Sequence, residues 1–305
     1  MDILAITLTV LGLVLFEIIT SLDNAVINAE VLSTMSQKMR RWFLLWGLLI
    51  AVFLLRGLLP WAIVWAVNPS LGPIGALTES FSSNPETIKA IELSAPILLA
   101  GGGTFMIFLF FHWLFLEPKN YGLRGERFFH RQGVWFYAVV SILLAVIVWF
   151  AINKNPFMAF GAVLGSTAFF ITHGFKETAA KSEQMLLKGK QSNISDISKI
   201  FYLEVIDASF SIDGVIGAFA FTLSVPLILL GNGIGAFVVR QLTVSNVEKI
   251  KNYAYLKNGA MYSILVLGSI MLLDSFGFDI PTWFSPLATA LIVGYFFIKS
   301  LRKLA

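Results

Sequence analysis

The chain has 305 residues, of which 57% are hydrophobic and only 13% charged, with no cysteine and a formal net charge of +4. Soluble domains carry about 25% charged residues, so an ordinary soluble protein is excluded, and without cysteine so are a disulfide framework, a thiolate metal site and a thiol nucleophile. A pI near 9.2 suggests nucleic acid, but the basic residues lie in short links between apolar runs, a pattern of membrane topology.

Those runs are about 18–26 residues long, enough to cross roughly 30 Å of hydrocarbon. They predict an all-α polytopic bundle of about nine spans, at 3–33, 42–67, 91–116, 134–153, 157–174, 199–223, 225–241, 256–274 and 283–300. The Met1-Asp2 start lacks the basic region of a cleavable signal, so the first span is expected to remain in the mature protein. That span carries Glu17, Ser21, Asp23 and Asn24, and the second carries Arg56. The segment 68–89, rich in Gly, Pro, Ser and Asn, reads as a loop with a short helix. His112 and His173 fall at the inner ends of spans three and five, as interfacial or hydrogen-bonded histidines. The polar stretch 174–199 reads as the longest link, with a helix start at Ser195-Asp196. Span six carries Glu204, Asp207, Ser211 and Asp213, and span seven carries Gly231-Asn232-Gly233-Ile234-Gly235, in which Asn232 is a candidate to line the pathway while small-residue helix packing explains the glycines without function.

The basic residues test this count. Links after odd-numbered spans, with the C-terminal tail, hold 19 of the 22 Lys and Arg; the opposite links hold only Lys89 and Lys154. Positive charge stays cytoplasmic, which places the N-terminus outside and the C-terminus inside. Trp42, Trp61, Trp65, Trp113, Trp135, Trp149 and Trp283 fall near span ends and read as an interfacial belt. No soluble domain is visible, so residues 1–305 form one transporter domain: a first motif half (about 1–116), linking spans (about 117–174) and a second motif half (about 199–300).

The acids are the chemistry. Glu17-x3-Ser21-x-Asp23-Asn24 recurs as Asp207-x3-Ser211-x-Asp213-Gly214, and an intramembrane carboxylate costs about 2.5–3.5 kcal/mol even on the gentlest scale. The two copies lie in oppositely directed spans, the sign of an inverted repeat with its site near the midplane. At 1.5 Å per residue, Glu17 lies roughly 20 Å from the outer start of its span, and Asp207 and Asp213 about 12 and 21 Å from the inner start of theirs. Glu17 and Ser21, four apart, share a helix face; Glu17 and Asp23 converge only if the helix breaks near 20–24, and the second copy requires the same near 210–214. The competing reading makes the acids structural partners of Arg56 or of Ser and Thr. Five acids facing one basic residue weigh against it, since their mutual repulsion asks for a cation. Carboxylates, hydroxyls and an Asn amide suit magnesium, calcium or manganese. Glu204, nearer the inner boundary, is either a peripheral ligand or a solvated acid.

The motif pair Glu17…Ser21-Leu22-Asp23-Asn24 and Glu204-Val205-Ile206-Asp207…Ser211-Ile212-Asp213 resembles the two signature motifs of TerC-type membrane proteins. Gly101-Gly102-Gly103 is a weaker match. The chain departs from the family pattern after Asp213, where Gly214-Val215-Ile216-Gly217 replaces Ser-Ile-Pro-Ala. The resemblance, to a branch of the LysE-like exporters named for tellurium resistance, implies manganese export from a bacterial inner-membrane protein. It also implies a metal site at Glu17, Ser21, Asp23, Asn24, Glu204, Asp207, Ser211 and Asp213. Protons are the expected counter-ion, the bilayer and a divalent cation the expected partners, and no cofactor or nucleic acid is expected. A non-transporting scaffold or sensor in a metal or tellurite stress complex is the alternative; an amino-acid exporter fits an acidic site poorly. No Walker-type loop or Ser/His/Asp set appears, so enzymatic activity is not expected.

Overall fold

The computed structural model describes residues 3–21, 35–47, 72–80, 85–187, 214–251 and 253–304, with isolated positions between 32 and 69 and between 196 and 203. The regular elements among the described residues are all helical. They are α1 (Ile3–Thr20), α2 (Gln37–Trp42, continuing as a π-helical turn, Phe43–Gly47), α3 (Gly72–Ser80), α4 (Pro85–Leu116) and α5 (Glu126–Arg131). After a 3-10 turn at Gly133–Trp135 come α6 (Phe136–Lys154), α7 (Pro156–Leu187), α8 (Val225–Lys251), α9 (Leu256–Ser275) and α10 (Phe284–Leu304).

Among the described residues six stretches are long and apolar enough to cross a membrane: Ile3–Thr20, Ala95–Leu116, Gly133–Lys154, Pro156–Gly174, Leu256–Ser275 and Phe284–Lys303. They mark an integral membrane protein. The predicted span at 225–241 falls in α8, whose apolar stretch is described over Val225–Val239. The predicted span 42–67 lies mostly outside the described residues; of the predicted span 199–223, residues 214–218 are helical and 219–221 form a turn, while 204–213 lie outside the described residues. The apolar stretch of α7 ends at Gly174, where the predicted span 157–174 ends, and the helix continues into the polar link as far as Leu187, through residues such as Lys, Glu, Ala, Gln, Met and Leu that favour helix.

The core forms around α4, which packs on α7 and α9, while α1 packs on α8 and α10. In the apolar stretch of α4, 78% is buried, against 22% in that of α6, which leaves most of α6 to the lipid. Backbone contact explains the glycines. A Cβ at Gly101 would meet the Gly161 carbonyl oxygen at 2.8 Å, and one at Gly103 the Gly268 carbonyl oxygen at 2.8 Å. The Gly101-Gly102-Gly103 run thus lets α4 touch α7 on one side and α9 on the other. Phe105, Phe108, Phe169 and Met271 fill the buried cluster these helices share.

Local chemistry sets the turns. Asn155 accepts the Phe157 N–H at 2.9 Å, capping α7 with Pro156 at its first position. Gly277, at φ 81°, ends α9 in a left-handed turn with the Phe278 N–H on the Leu273 carbonyl. Trp135, Trp149 and Trp283 are exposed as a belt requires, but Trp113 is fully buried. It ends the central helix, so Phe110 and Tyr262 surround it in place of lipid.

Candidate cation site

Glu17 lies in the last turn of α1 and is 0% exposed. Its Oε1 accepts the Ser21 hydroxyl at 2.6 Å, the contact their spacing on one helix face predicts. Two backbones close on the carboxyl group. On one side α8 lies against α1: a Cβ at Gly231 would fall 2.5 Å from Leu13 Cβ, and one at Gly235 2.6 Å from Glu17 Cβ. On the other, a Cβ at Gly214 would sit 3.1 Å from Glu17 Oε2 and 3.9 Å from Thr20 Oγ1. Residues 214–218 are helical, and Phe16 packs against Gly217. The Ser285 hydroxyl donates to the Ala220 carbonyl at 2.8 Å, fastening α10 to the turn that follows.

Gly214, the residue directly after the second motif's last acid, therefore lies at the carboxylate of the first motif. Of the eight predicted ligands, Glu17 and Ser21 fall in the described residues; Asp23, Asn24, Glu204, Asp207, Ser211 and Asp213 lie outside them, as does Arg56. The helix breaks expected near 20–24 and 210–214 also fall largely outside, although α1 gives way to a turn at Ser21. Among the described residues no group of three or more His, Asp or Glu could hold a metal ion.

A second contact joins the flanks of the two motifs. Asp196 Oδ2 accepts the Ser36 hydroxyl at 2.6 Å and the Ser36 N–H at 3.1 Å. These bonds hold the Asp196 carboxyl below the usual carboxylate range. Leu32, Met35, Phe43, Ile200 and Leu203 form a small apolar cluster. The Ser195-Asp196 helix start read from the sequence thus also serves as a link across the chain.

A polar network at the end of α4 was not read from the sequence, because Lys257 and Asn258 join His112, Glu117 and Glu126 only through packing. Glu117 Oε1 lies 3.3 Å from His112 Nδ1 and its Oε2 3.0 Å from Lys257 Nζ. Burial opposes ionisation of Glu117, but the His112 and Lys257 contacts outweigh it and hold the carboxyl well below its ordinary range. The His112 and His173 rings pack at 3.8 Å between centroids. Glu126 accepts the Gly122 and Leu123 N–H groups at 2.7 and 3.0 Å, and the Asn258 amide at 2.9 Å. Lys119 donates to the Trp113 carbonyl, and burial pushes its ammonium down to about 8. Every Glu117 and Glu126 contact named here is with a protein donor, so these acids fasten α4, α9 and the link between α4 and α5.

No curated protein and no solved structure matches the chain. The family described as "Protein of unknown function (DUF475)" matches residues 22–304, and the chain belongs to this membrane protein family of unknown function.

Proposed function

We propose that this protein exports divalent metal cations, manganese first among them, through a carboxylate site near the bilayer midplane. The observation that carries the reading is the approach of Gly214 to the Glu17 carboxyl, since it supports convergence of the two acidic motifs. Glu17, Asp23, Asp207 and Asp213 are the ligands in this reading, Ser21, Asn24 and Ser211 the supporting oxygens, and Glu204 an acid at the inner edge. The resemblance of both motifs to TerC-type proteins supports manganese among the hard cations. Helix direction supports the nine-span topology. α8 runs parallel to α1, through the pairs Gly231–Leu13 and Gly235–Glu17, as does α10, through Gly12–Pro286 and the cluster that holds Ile19 and Val293, and α4 runs parallel to α7, through Ile97–Gly161 and Gly101–Gly165. α9 runs opposite to both α4 and α10. Alternating spans require this order of these helices, and the excess of Lys and Arg in the links after odd-numbered spans supports an N-terminus outside and a cytoplasmic C-terminus.

Clustered carboxylates repel one another when a cation leaves, so proton uptake accompanies release and supplies the exchange. The test is manganese flux in liposomes. Wild-type protein moves the ion in response to a pH gradient, and Asp23→Asn and Asp213→Asn abolish movement without loss of thermal stability. Flux indifferent to pH removes the proton step; binding without flux points to a scaffold or sensor; no binding of manganese, magnesium or calcium overturns the reading.

A further inference from the structure

We infer that Asn232 is a further cation ligand, one helical turn on the outer side of Glu17, which rests on the reading of Glu17 as part of a cation site. Asn232 is 0% exposed, and among the described residues neither its amide oxygen nor its amide nitrogen has a hydrogen-bond partner. An amide buried in this way is disfavoured, because it has surrendered water for nothing. Native interiors tolerate such a group where it meets a ligand.

Its place on α8 says which ligand. Gly235, three residues further on, brings the backbone of α8 against the Glu17 side chain. Residues three apart differ by about 60° around the helix and 4.5 Å along it. Ile228, four residues before Asn232 and on the same face, enters the central cluster with Leu13, Phe16 and Phe221. Asn232 therefore continues an interior face, toward the level where Glu17 and Gly214 meet. An amide oxygen is an ordinary ligand for a hard divalent cation. Being neutral, it adds coordination without adding to the repulsion among the acids, which suits a site that must also let the ion go.

The experiment compares wild type, Glu17→Gln, Asn232→Leu and Asn232→Asp in detergent, by manganese titration calorimetry and thermal unfolding. Asn232→Leu is expected to bind manganese about tenfold more weakly or worse, with an unchanged or raised melting temperature because an unpaired polar group has been removed. Asn232→Asp keeps an oxygen in place and retains binding. Unchanged affinity in Asn232→Leu, while Glu17→Gln loses binding, overturns the role of Asn232 alone. A lowered melting temperature in Asn232→Leu, with binding also lost in Asn232→Asp, assigns the amide a structural partner and overturns it too. Failure of the wild type to bind manganese removes the cation site itself.

Discussion

The side chain on which most depends is Glu17. A carboxyl group with no exposure and two helix backbones against it is expensive as an anion unless a cation or proton balances it. Glu17→Gln keeps the shape and a Ser21 hydrogen bond but removes that charge. We expect manganese affinity to fall by about tenfold or more, with the melting temperature unchanged or raised, as measured by calorimetry and thermal unfolding. Gly214→Ala tests the other wall. Its new Cβ, 3.1 Å from Oε2, should displace the carboxyl group and weaken manganese binding, whereas Gly125→Ala, with open space around it, should leave binding unaltered. The Glu17–Ser21 pair was legible from a spacing of four. The contact of Glu17 with Gly214 was not, because nothing local joins residues so distant in the chain.

Among the elements, glycine placement decides how closely helices approach. The sequence offered Gly101-Gly102-Gly103 as a weak motif match; the packing makes it the surface on which α4 meets α7 and α9. Gly161→Val is expected to destabilise the fold by roughly 1–3 kcal/mol or more, since its Cβ would fall 2.5 Å from the Ile97 carbonyl oxygen. Gly294→Ala in α10, with nothing within 4 Å, is expected to be neutral or to stabilise by about 0.5–1 kcal/mol. Unfolding in detergent compares the two. Hydropathy located α4, α6, α7, α9 and α10 to within a few residues at most of their ends, because the length of an apolar run reflects bilayer thickness. It placed the apolar part of α7 to within a residue, but not the length of the helix, which runs on to Leu187 because helix propensity does not depend on apolar length.

Across the whole molecule, the Glu117 network clamps one end of the bundle and makes stability depend on acid. The Glu117 carboxyl is depressed by His112 and Lys257, so its contribution is present above the ordinary carboxylate value near 4.5 and is lost as pH falls below it. Melting temperatures of wild type and Glu117→Gln should therefore differ at neutral pH and converge in acid. Composition and pattern are enough to give the environment of the protein, the axial extent of most of its apolar stretches and the residues that can carry charge inside a membrane. Each follows from short-range chemistry: apolar length, charge bias and the solvation of single side chains. Which of those groups meet is a matter of packing. It put Gly214 at the Glu17 carboxyl, buried Trp113 beneath neighbouring helices and left the Asn232 amide enclosed without a partner among the described residues. Those outcomes depend on how closely glycines let one helix approach another, and packing settles that between residues the sequence keeps far apart.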